Sequence, residues 1–128
     1  MVANKPERVG VLLERWFRSR AEAVFAERTA LCLERLRTFG IEHDGAFRLR
    51  RMAKRWGSCT AGGMIYLNPL LIAAPKECID YVITHELVHT VHLHHQKKFY
   101  ALLSKCLPNW QALRLKLNTL VELPKVQE

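Results

Sequence analysis

The sequence has no CxxC pair: its four cysteines, Cys32, Cys59, Cys78 and Cys106, stand far apart. That spacing excludes a zinc ribbon or zinc finger and reads as reduced thiols filling small apolar sites. No run of roughly eighteen apolar residues occurs, so no membrane-spanning helix is expected. The opening MVANKPERVG has no apolar stretch behind its charges and does not read as a secretion signal. A cytoplasmic protein is therefore expected. Glycine and proline are sparse, and no biased segment suggests disorder. Neither a Walker-type glycine loop nor a clustered set of carboxylates is present, which removes the usual phosphate cradle and Mg²⁺ site.

Acidic residues are also in the minority, 12 against 20 bases, for a formal charge of +8. The excess sits early: Phe47 to Trp56, FRLRRMAKRW, holds five bases and no acid. Such a segment attracts nucleic acid or phosphorylated ligands, although a basic soluble surface needs no partner. At 128 residues the chain reads as one domain with one modest core.

The apolar spacing predicts a long helix over 9–38, with Leu13, Phe17, Val24 and Leu31 on a buried stripe and Gly40 as its stop. Alternation in AFRLRRM and the Gly-Gly turn in WGSCTAGGMIYLN predict two or three short strands, antiparallel to one another. A second helix follows Pro75, with Ile79, Ile83, Leu87 and Val91 as its core ridge. A third begins near Gln96 and carries Phe99, Leu102 and Leu103; a last one covers NWQALRLKLNTLVEL beyond Pro108. The fold class is α+β: a small sheet among helices. Trp16, Trp56 and Trp110 are expected in the core.

Five of the six histidines fall within THELVHTVHLHHQ, Thr84 to Gln96. On a helix, His85 and His89 are one turn apart and differ in direction by about 40°, so both imidazoles can reach one ion. Glu86 points about 100° away, beside the site, where a carboxylate can take a proton from water. That is the chemistry behind H-E-x-x-H. His92 shares the face but lies about 10 Å further along the axis, too far to join them on a straight helix. The third ligand must come from chain that has bent back, and LHHQ offers His94 or His95, which geometry alone does not separate. Three imidazoles with an open position describe a catalytic site, and zinc is the default metal for them. His43, beside Asp44 and Gly45, reads as a surface turn residue.

The run KRWGSCTAGGMIYLNPLLIAAPKECIDYVITHELVHTVHLHHQKKFY, followed by LPNW, resembles the YgjP-like metal-dependent hydrolases, an M48-like metallopeptidase domain related in layout to SprT-like proteases. The resemblance covers the signature region 50–110. It implies a minimal zincin-like domain over 1–128, metal ligands at His85 and His89, Glu86 as the general base, and His95 as the third ligand. The family pattern is altered at Thr90, His94, Gln96 and Tyr100, none of which removes a ligand. The helical segment 9–38 replaces a β-rich part found in longer relatives.

Around this centre, Trp56, Gly57 and Cys59 are expected to be structural, with Arg55 tied to an acid such as Asp80. Lys54 and Arg55 are alternatively substrate contacts, and Tyr66, Asn68 or Tyr100 are candidate oxyanion donors. Three functions compete. The first is a zinc metallopeptidase acting on a peptide or protein. The second is a metal-dependent nucleoside triphosphate pyrophosphatase using the Arg48–Arg55 stretch. The third is a non-catalytic nucleic-acid-binding module with structural zinc.

Overall fold

The computed structural model describes the backbone of residues 6–120 and the side chains of residues 15–119. Helix α1 (Pro6–Leu36) precedes three short strands, β1 (Phe47–Leu49), β2 (Gly57–Cys59) and β3 (Ile65–Leu67). Helices α2 (Lys76–His89), α3 (Lys97–Cys106) and α4 (Trp110–Leu120) follow, and short 3-10 turns occupy Arg37–Phe39 and Pro69–Ala73. This is the expected α+β zincin-like layout. The side chain of Leu13 and the end of the last predicted helix, 121–123, lie outside what is described.

The buried stripe of α1 is Ala21, Phe25, Thr29, Cys32 and Leu36, repeating every three or four residues. It is not the stripe expected from the larger apolar side chains. Phe17 and Leu31 are exposed, Val24 is half-buried, and Trp16 is 58 % exposed, whereas Trp56 and Trp110 are buried. Cys32 on this face meets α2, its Sγ 3.9 Å from the Asp80 carbonyl and from the Thr84 hydroxyl, so side-chain size alone misidentified the face. Gly40, at φ 81°, ends the helical segment in the left-handed region.

α2 is the centre of the molecule, packed by α1, α3, α4 and β2. Every residue from Cys78 to Val88 is buried, so this helix is enclosed on all sides rather than amphipathic. Ile79, Ile83 and Leu87 are each at most 1 % exposed, and each such burial contributes about 1.5–3 kcal/mol. Val91, the expected fourth member of that ridge, lies beyond the helix end and is exposed. Asp80 on the α1-facing side takes two hydrogen bonds from Arg28, Nε at 2.8 Å and Nη2 at 2.6 Å. The Asp80 partner is therefore an α1 residue, not Arg55 as the sequence suggested.

The sheet is mixed, not wholly antiparallel, with strand order β1-β3-β2. β2 and β3 form an antiparallel hairpin closed at Thr60–Gly63, while β1 pairs parallel to β3 from the other side. The apolar strand, with Ile65 and Leu67 at 2 % and 0 % exposure, takes the centre. The strands carrying Arg48 and Gly-Ser-Cys take the edges. The connection between β1 and β2 is held by Asn68, whose amide donates to the carbonyls of Met52 (2.9 Å) and Arg55 (3.1 Å). His43 is likewise a staple: its Nδ1 accepts from the Gly45 N–H, leaving Nε2–H to donate to the Gly63 carbonyl, both at 2.9 Å.

Candidate metal centre

The last turn of α2 and the bend after it bring His85, His89 and His95 together, each offering a ring nitrogen within 4.8 Å of the others. The helix supplies two of them because residues four apart share a face. After His89 the ladder closes with Thr90 and Val91 bonding back to Leu87 and Val88 carbonyls. The chain then turns through 92–96 into α3, returning His95 over the helix end. His89 Nε2 lies 2.8 Å from His95 Nε2.

Two further contacts orient these rings. His89 Nδ1 is 3.2 Å from the carbonyl of His92; donating there fixes the tautomer and leaves Nε2 as the free electron pair toward the cluster. His92 thus enters the site through its backbone, not through its imidazole. Phe99, fully buried in the first turn of α3, has its ring 5.0 Å from that of His85, 4.5 Å from His89 and 4.9 Å from His95. It forms a shared apolar floor that limits where the three rings can go. Neither the His92 carbonyl nor the role of Phe99 follows from residue spacing, since both depend on how sharply the chain bends.

Glu86 borders the cluster, with Oε2 3.4 Å from His85 Nδ1 and only 4 % of the residue exposed. Its carboxylate lies against β2 at Gly57. Burial pushes the pKa of His89 down; the Glu86 carboxylate acts in the opposite direction and His85 reinforces the lowering. A depressed imidazole pKa keeps the nitrogen unprotonated, as a metal ligand requires. Three converging ring nitrogens, a neighbouring carboxylate and adjacent open space therefore suit a divalent ion with a remaining free position.

That space is a cleft of about 170 Å³ lined by Arg55, Gly57, Ser58, Cys59, the three histidines, Glu86 and Leu93. β2 is an edge strand, so one wall of the cleft is a strand flank unpaired within the sheet. Burial, and secondarily Glu86, pushes the Cys59 thiol up to about 11, which leaves it a poor nucleophile near neutrality.

Of the other residues picked from the sequence, Arg55 reaches the cleft wall. Lys54 is exposed and is not among the lining residues. Tyr66 lies under Arg50, whose guanidinium carbon is 4.0 Å from its ring centre. Asn68 is 0 % exposed with its amide engaged as described. Tyr100 stacks on Trp110 at 5.5 Å and stands 6.2 Å from the His95 ring. His94 is exposed and outside the cluster.

The chain shares its fold with the crystal structure of the metallopeptidase zymogen of Pyrococcus abyssi abylysin, at a TM-score of 0.66 and 20 % identity. That match covers 77 % of this chain and 99 % of the other. No curated protein matches the chain. The profile of the YgjP-like metallopeptidase domain, in contrast, matches residues 1–120, and the chain belongs to that family.

Proposed function

We propose that the protein is a zinc-dependent peptidase in which His85, His89 and His95 hold the metal and Glu86 is the general base. The observation that carries this is the convergence of three ring nitrogens within 4.8 Å beside a buried carboxylate at the wall of an open cleft. Family membership and a fold shared with a solved metallopeptidase support it. Zinc held there supplies Lewis acidity, polarising a peptide carbonyl and easing deprotonation of water. Glu86 accepts the proton of the attacking water and returns it to the leaving amine. The edge of β2 offers backbone donors and acceptors along the cleft, suited to an extended peptide lying as an added strand. Arg55, at the cleft wall, is placed to meet a substrate carbonyl or carboxylate. Four free thiols, three of them buried, fit a reducing compartment such as the cytoplasm, and no described helix is long and apolar enough to cross a membrane. The nucleotide-hydrolysing alternative gains no support: the described residues contain no carboxylate cluster of the kind that holds Mg²⁺.

The decisive experiment pairs zinc analysis with cleavage of a mixed fluorogenic peptide library. Glu86→Gln is expected to keep stoichiometric zinc while losing at least about 100-fold in turnover. Undiminished turnover in that variant ends the mechanism.

A further inference from the structure

The sheet has two faces, and only one of them meets α2. In the register, Phe47, Ile65 and Cys59 form one row across the strands, Arg48, Tyr66 and Ser58 the next, and Leu49, Leu67 and Gly57 the third. The first and third rows face the core: Ile65 and Leu67 are buried, and Gly57 lies against Glu86. Alternation therefore turns the middle row outward. Arg48 is exposed there, and Arg50, two residues on, stacks over Tyr66 at 4.0 Å.

At the β1 edge this face continues into a groove of about 480 Å³ between the strand and α1. Arg15 and Arg18, one helical turn apart, line it opposite Arg48, and Glu22 is its one acidic residue. Trp16, which does not line the groove, is 58 % exposed on another face of α1, edge-on to Phe17 at 5.1 Å. At its other end the basic segment reaches Arg55 on the wall of the metal cleft. Arg15, Arg18 and Arg48 line the groove, and Arg48 and Arg50 are exposed, while the ion pairs Arg28–Asp80 and Lys116–Glu77 lie elsewhere.

Arginines held on a strand and a facing helix turn, with Glu22 the one carboxylate among the described lining residues, form a track for a chain of phosphates. The guanidinium of Arg50 stacked on Tyr66 adds a flat surface for unpaired bases. A protein partner of acidic character would use the charge but not the stacking surfaces. We infer that this α1–β1 groove and the outer sheet face bind single-stranded nucleic acid, with Arg15, Arg18 and Arg48 on phosphates and Arg50–Tyr66 against bases. The site is separate from the metal ligands and does not rest on the peptidase reading.

The test is fluorescence anisotropy of a labelled oligothymidylate of about 15 nucleotides, titrated with the full chain as zinc-loaded Glu86→Gln, so that catalysis plays no part. Binding at low salt is expected, weakening with salt at a log–log slope near −2 for about three phosphate contacts. The double change Arg15→Glu/Arg48→Glu should weaken binding at least about tenfold, and Arg50→Ala about threefold or more, with zinc content retained as the check on folding. Made in the otherwise native chain, these changes leave peptide cleavage intact. No anisotropy rise at low salt overturns the inference. So does unchanged binding by both folded variants, tighter binding to the matching duplex, or equal binding to polyglutamate of the same charge.

Discussion

A β-carbon placed on Gly57 would lie 2.9 Å from Glu86 Oε2 and 3.1 Å from its Cγ. The backbone of β2 is thus the surface that sets the position of the proposed general base, and the glycine is required for space, not for its backbone angles. The same atom would stand 3.0 Å from Val82 Cγ1 on the adjoining turn of α2. The strand cannot simply move away, because its hairpin partner β3 is anchored in the core. Gly57→Ala is accordingly expected to displace the Glu86 carboxylate while the histidines stay in place. Turnover of peptide should fall about 10–100-fold, with zinc content and KM little changed, and overpacking should cost about 1–3 kcal/mol of stability. A variant with full turnover, or one that has lost zinc, would show that Gly57 does not act through Glu86.

His94 and His95 are neighbours with opposite fates. His95 joins the cluster, 2.8 Å from His89 Nε2, while His94 faces outward. Replacing His95 with Ala should release zinc to a mild chelator during dialysis and abolish cleavage, because two imidazoles and water hold the ion far less tightly than three. His94→Ala should keep both metal and activity. Retention of zinc by the His95 variant with loss in the His94 variant would move the ligand by one residue.

How much of this was legible beforehand depends on whether the cause was local. The pairing of His85 with His89, and the exclusion of His92 as a third ring, follow from helical rise and twist alone. The need for a bend at LHHQ followed from the reach of a third ligand, but the choice of His95 over His94 came through the family pattern. The inner face of α1 was misjudged because the small side chains of Ala21 and Cys32 are buried there while the larger Leu31 and Phe17 are exposed. Parallel pairing of β1 with β3 was missed for a related reason. Short strands separated by turns suggest successive hairpins, yet burial demands that the most apolar strand sit between its two polar neighbours. The Arg28–Asp80 pair, 52 residues apart in sequence, has no local signature at all.

That pair gives a stability prediction. Side-chain exposures of 20 % for Arg28 and 11 % for Asp80 place a two-bond contact largely out of water. Removing one partner strands the other, so Arg28→Ala or Asp80→Ala should destabilise the fold by about 2–4 kcal/mol, toward the lower end because Arg28 keeps some solvent. The double variant should lose less than the two single losses combined. Arg28→Lys should not restore stability, since an ammonium cannot make the paired bonds of a guanidinium. Urea unfolding of the four variants measures this directly, and additive losses would mean that the two residues do not act together.

Thiol chemistry provides an independent readout of the cleft. Cys59 lines it, and burial, followed by the Glu86 carboxylate, pushes its thiol up to about 11; Cys106 is also pushed up to about 11, by burial and without Glu86. A raised thiol pKa means that the reactive thiolate is scarce below it and accumulates only as pH climbs toward it. At pH near 8, native Cys59 should therefore react with iodoacetamide about two orders of magnitude more slowly than a free cysteine, and faster as pH rises. Glu86→Gln removes the secondary cause and should speed Cys59 while leaving Cys106 unchanged. Peptide mapping after timed alkylation of metal-free protein distinguishes the two sites. Equal rates for Cys59 with and without the Glu86 carboxylate would mean that this charge does not face the strand as the structure places it, and the position of the proposed general base would have to be redrawn.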